Sequence, residues 1–153
     1  LRSVKVMDSI AREVERSPFL RPREREDLPV AAGPAATVAW AACQAASEVS
    51  RPLVVFTWSG VSAITASKAR PRGPIFALTP SDSICDRLAL VWGVVPLRVP
   101  AVKSTDELIA IGEQILLDKG LLDPGQEIIV LAGHSPMKGT TNTMRIYTIG
   151  SER

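Results

Sequence analysis

The chain has 153 residues, enough for one ordinary domain with its own core and no disulfide staple. Hydrophobic residues make up 46% and charged residues 22%, which reads as soluble and globular; a net charge of +2 with 5% aromatics argues against a nucleic-acid or anionic-membrane partner. No apolar run reaches the ~18–20 residues that span a bilayer, and two cysteines with a single histidine, His134, are too few for tetrahedral zinc.

Residues 4–16 read as a helix, because Val4, Met7, Ile10, Ala11 and Val14 recur at three and four residues. Residues 17–33 hold three prolines and a charge run and read as a linker. Gly33-Pro34 then opens an alanine-rich helix to about residue 50, apolar nearly all round and so packed on more than one side. A buried strand follows at about 53–57, and a helix begins at Ser59-Gly60 and runs to about Ala69. Lys68, Arg70 and Arg72 gather at its end, where cations complement the dipole.

A second strand lies at about 75–78, and Ser81 caps a helix to about Leu90 with Ile84, Leu88 and Val91 on one face. A third strand near 93–98 contains Pro96, which marks it as short or at an edge. Ser104-Thr105-Asp106-Glu107 has the form of a capping box, and the helix it starts ends at Gly120. A fourth strand runs at about 127–132 and a fifth at about 144–149. Cys43 and Cys85 both fall in helices among apolar neighbours, as buried inert thiols in a reducing cytoplasm do.

Strands alternating with helices give a parallel sheet covered on both faces, an α/β fold. The connection from the fourth strand to the fifth holds no helix, so the fifth is expected antiparallel. Such sheets bind ligands at the carboxyl ends of their strands. Two loops there are rich in polar groups. In the first, Thr57, Ser59 and Ser62 offer hydroxyls, Gly60 leaves the backbone open, and no acid intervenes before a helix N-terminus, which describes a phosphate cradle. The plainer alternative is that Ser59 is only a helix N-cap. In the second, Lys138 brings a charge, Gly139 a turn, and Thr140, Thr141 and Asn142 hydrogen bonds; the alternative is a polar surface turn. No carboxylate or nucleophile is placed around His134, and no Walker or dinucleotide-binding motif is present. No residue reaches catalytic standard.

The run FTWSGVSAITASKARPRGPIFALTPSDSICDRLALVWGVVPLRV resembles the C-terminal α/β domain of pyruvate kinases. Its T-x-S-G-x-S pattern, the basic helix ending in RP-x-x-PI, and the L-x-x-x-WG-V step carry the likeness in combination, and KSTDELI and VLAGHSPMKGTTNTMRIYTI extend it over residues 35–150. Residues 1–33 are similar to the last helix of the family's catalytic barrel domain plus a linker, and 34–153 to the C-terminal domain, as though the chain were cut inside that helix and linker.

The resemblance implies a three-layer α/β/α fold around a five-stranded mixed sheet in order 3-2-1-4-5, with the last strand antiparallel. It implies an effector phosphate held by Thr57, Trp58, Ser59, Gly60 and Ser62, with a second loop, Ser135, Lys138, Gly139, Thr140 and Thr141, closing over it. Some relatives carry lysine where this chain has Trp58 and arginine where it has Val61, so a sugar monophosphate or AMP fits better than a bisphosphate. The implied partners are a catalytic barrel domain of the same enzyme and further copies in a cytoplasmic tetramer. The implied cofactors, magnesium and potassium, belong to the complete enzyme and not to this domain. The alternatives are a purely structural subunit-interface domain and a freestanding phosphate-binding protein of the same fold.

Overall fold

The structure, a computed structural model, describes residues 2–17, 33–102, 104–133 and 141–151. Helix α1 (Arg2–Arg16) precedes α2 (Pro34–Glu48), β1 (Leu53–Phe56), α3 (Val61–Ala69), β2 (Ile75–Thr79), α4 (Asp82–Leu88), β3 (Val94–Arg98), α5 (Thr105–Asp118), β4 (Glu127–Gly133) and β5 (Thr141–Thr148). The strands form one sheet in the order β3-β2-β1-β4-β5, the first four parallel and β5 antiparallel to β4. This is the expected α/β fold and strand order. The antiparallel last strand follows from the short connection that precedes it.

The central strands are buried on both faces, so their side chains part by alternation into two cores. Leu53, Val55, Ile75, Ala77, Ile129 and Leu131 point to one face and meet Ala42, Ala46, Ala63, Ala66 and Leu88 from α2, α3 and α4. Val54, Phe56, Phe76, Leu78, Ile128 and Val130 point to the other and meet Ile109 and Leu116 of α5. Three layers result, α/β/α. Alanines on α2 and α3 let the two backbones approach closely, and the buried Cys43 thiol donates to the Ala66 carbonyl at 3.6 Å. On the opposite face Gly112 allows the same closeness: a Cβ there would stand 2.7 Å from Leu78 Cδ2 and 3.0 Å from Phe56 Cζ.

Several local expectations need correction. Ser104 takes the N-cap of α5 and Ser81 that of α4, both in extended backbone, but neither side chain caps. Ser81 instead shares a 3.0 Å hydroxyl contact with Ser83. Cys43 is buried, and burial pushes its thiol up to about 12; Cys85 is only half-buried, so it is not the inert core thiol its neighbours suggested. Strand β5 begins at Thr141, because Thr141 pairs with Gly133 past a register shift at Ala132/Gly133.

Helix α1 has the expected apolar stripe, yet Val4, Met7, Ile10 and Val14 are all exposed. A bond from Trp92 Nε1 to Glu15 Oε1 at 2.9 Å ties it to the rest of the chain. The intervening linker, 18–32, lies outside the described residues. No helix among the described residues is long and apolar enough to cross a membrane.

Candidate anion-binding site

Parallel pairing of β1 with both β2 and β4 brings the ends of β1 and β4 to one edge of the sheet. The segment after β1 enters α3 there, and the first residue of β5 lies beside it. Thr141, the one described residue of the second site loop, therefore lies beside the first polar segment at this end of the sheet, where Ser62 Oγ and Thr141 Oγ1 are in contact at 2.6 Å. Both hydroxyls can donate or accept, and Thr141 is buried.

The turn itself is built from side-chain and backbone bonds. Thr57 is buried and its Oγ1 accepts from the Gly60 N–H at 3.0 Å. Gly60 adopts a left-handed conformation, φ 80°, and is the N-cap of α3. Ser59 is therefore not the cap, which removes the plainer alternative for that residue. The first helical bond runs from the Ile64 N–H to the Gly60 carbonyl at 3.0 Å, and no side chain caps the helix. The N–H groups of Val61, Ser62 and Ala63 thus precede the helical ladder and carry the positive end of the helix dipole. Thr57 occupies the Gly60 N–H, and both Gly60 and Ala63 are buried.

Trp58 is 45% exposed and Val61 60%, while Gly60 between them is buried. Residues 57–62 contain no ionisable side chain. One cation comes from elsewhere: an Nη2 hydrogen of Arg87, on α4, is donated to the Ser59 carbonyl. Reading the sequence missed Arg87. A signal was present, because Ile84, Arg87 and Leu88 share an i, i+3, i+4 face, and all three approach Gly60. Only the packing of α4 against α3's start says which loop that face meets.

The other site residues expected from sequence, Ser135, Lys138, Gly139 and Thr140, lie outside the described residues, as does His134. The basic group at the far end of α3 is separate from the site: Arg70 stacks 5.0 Å over Trp92, and Arg70 and Arg72 line a cavity of ≈ 320 Å³ with Ser47 and Glu48. Among the described residues no group of three or more His, Cys, Asp or Glu side chains could hold a metal ion.

Residues 36–147 match the family model described as pyruvate kinase, alpha/beta domain. The chain is 35% identical over 153 residues to a pyruvate kinase of Agrobacterium vitis, covering 98% of this chain and 32% of the relative. A pyruvate kinase of Clostridium acetobutylicum is 35% identical over 109 residues, 70% of this chain and 23% of its own. One of Lactococcus lactis is 38% identical over 97 residues, 63% and 19% respectively. The chain spans about a third of the length of the Agrobacterium relative. With that match over most of its length, the chain belongs to the pyruvate kinase alpha/beta domain family.

Proposed function

We propose that this chain is the C-terminal regulatory and oligomerisation part of a pyruvate kinase, and that it binds a phosphorylated effector where β1 runs into α3. The complete cytoplasmic enzyme would move a phosphoryl group from phosphoenolpyruvate to ADP. That reaction needs metal ions to manage the charge in transit, and magnesium and potassium belong to the rest of the polypeptide. The observation that carries the reading is the uncapped start of α3 with Gly60 in a left-handed turn and Thr57, Ser59 and Ser62 around it. This fits a phosphate: N–H donors, hydroxyls and a dipole converge, and residues 57–62 bring no carboxylate.

In this reading the Ser62–Thr141 contact is where the effector acts. An effector oxygen bonded to Ser62 Oγ alters its bond to Thr141 and with it the start of β5. Ser135, Lys138, Gly139 and Thr140 complete the contacts, as the resemblance implies. Coupling of this kind is typically ~1–3 kcal/mol and reciprocal, so substrate tightens effector binding by the same factor. The test is the complete polypeptide with Ser62→Ala, titrated with glucose 6-phosphate and with AMP. The half-maximal effector concentration should rise about tenfold; an unchanged curve for both compounds rejects the site.

A second reading has its own observation. Strand β5 is the outer edge of the sheet, and Met144 and Ile146 are exposed there, 41% and 60%. An unpaired edge with apolar side chains suits pairing with a second copy. Light scattering with and without glucose 6-phosphate separates an interface that ignores the ligand from one that answers to it.

A further inference from the structure

Helix α1 buries none of its residues, and Val4, Met7, Ile10 and Val14 of its apolar stripe are 50–61% exposed. The apolar face therefore does not hold α1 to the sheet layers. Among the described residues, one hydrogen bond reaches α1 from another element: Trp92 Nε1 donates to Glu15 Oε1 at 2.9 Å. The seat of α1 thus depends on a polar contact exposed to water, which contributes far less than burying the stripe would.

The donor is held from its other side. Trp92 lies in the turn between α4 and β3, where the Val91 N–H donates to the Leu88 carbonyl and the Val94 N–H to the Val91 carbonyl. The buried Ser67, on α3, donates its hydroxyl to the Trp92 carbonyl at 2.6 Å. Three residues further on, the Arg70 guanidinium stands 5.0 Å over the indole ring, within cation–π range. Arg70 reaches it from a left-handed backbone, φ 48°, one of two non-glycine residues with positive φ among the described residues. Glycine would sit there at less cost, so the arginine is accounted for by its side chain on the ring.

We propose that Trp92 is a positioning residue: its indole, braced by Ser67 and Arg70 at the end of α3, is a releasable latch that sets how α1 sits on the α/β layers. The brace lies within those layers and is unaffected when the latch opens. Release breaks one exposed bond and uncovers no apolar surface. The stripe of α1 is then free to be buried elsewhere without disturbing either core. The inference is independent of the phosphate reading, because the latch lies at the opposite end of α3 from Gly60.

The experiment is ¹H–¹⁵N spectroscopy of the full chain as wild type, Trp92→Phe and Glu15→Ala. Trp92→Phe keeps an aromatic ring under Arg70 and removes the N–H; Glu15→Ala removes the acceptor and favours the helix. The indole resonance missing from Trp92→Phe identifies Trp92. In Glu15→Ala that indole hydrogen should exchange with solvent about three- to tenfold faster. In wild type the ¹⁵N relaxation of α1 should match that of β1 and β2. In both variants α1 should relax as a separately moving helix while the strand amides keep their positions, which a general loss of packing would not produce. An unchanged indole exchange rate in Glu15→Ala refutes the bond. If α1 still relaxes with the strands in both variants, or already moves separately in wild type, the latch is refuted.

Discussion

Replacing Gly60 by alanine tests the geometry of the turn. Gly60 sits at φ 80°, a region that costs an L residue ~1–2 kcal/mol. The new Cβ would also stand 3.0 Å from Arg87 Nη2, 3.3 Å from Ile84 Cγ2 and 3.4 Å from Leu88 Cδ2. The Arg87 contact is the far end of a flexible side chain and can move away at little cost, while the other two are near ordinary contact. The loss of stability should therefore come from the backbone, about 1–2 kcal/mol, and the displaced Arg87 should show in binding instead. Urea unfolding followed by circular dichroism measures the first part: the midpoint should fall by roughly 0.5–1 M at unchanged slope. Phosphate titration measures the second. A midpoint equal to or above that of wild type would refute the left-handed turn.

Other perturbations probe the scaffold. Tyr147 donates to Glu113 Oε2 at 2.6 Å while Gly150 N–H donates to Oε1 at 2.6 Å, clamping α5 to the end of β5; Tyr147→Phe should cost about 1–2 kcal/mol in urea unfolding, and no change would show the clamp is idle. Ser67 Oγ donates to the Trp92 carbonyl at 2.6 Å, so Ser67→Ala should cost ~1 kcal/mol by the same assay. Cys43 keeps its proton in the folded state up to about 12, while an unfolded thiol loses it near 9.0. The folded state then holds more protons above pH ~9, so stability falls as pH rises from there towards 12, by at most ~1.4 kcal/mol per unit for one proton. Cys43→Ala should make that alkaline decline shallower, and an unchanged slope contradicts the assignment. In native protein at pH 8 a thiol reagent should label the half-buried Cys85 well before Cys43; equal rates would contradict the burial.

Most of the fold was legible because its signals are local. Continuous apolar runs such as 53–56 and 128–132, three- and four-residue spacing in α5, and the helix-free connection before β5 are written in neighbouring residues. What escaped depended on packing. The start of β5 at Thr141 is set by its pairing with Gly133, and polar residues gave no hint of a strand. Ser104 and Ser81 match a capping pattern, but that pattern gives chemistry and not the rotamer adopted. At the site, Gly60 and its hydroxyl neighbours stood out in sequence because they are contiguous. Arg87 did not, since it is 27 positions beyond Gly60 and meets it only after α4 docks beside α3's start. Nor could sequence foresee that Thr57 would take the Gly60 N–H.

The central claim is tested most directly by following backbone amides in a ¹H–¹⁵N spectrum of the full chain as glucose 6-phosphate is added. Saturable shifts should centre on Val61, Ser62 and Ala63, with smaller ones at Gly60 and Thr141. Shifts clustered at Arg70 and Arg72 at the other end of α3, or no shifts at millimolar ligand, would contradict the account.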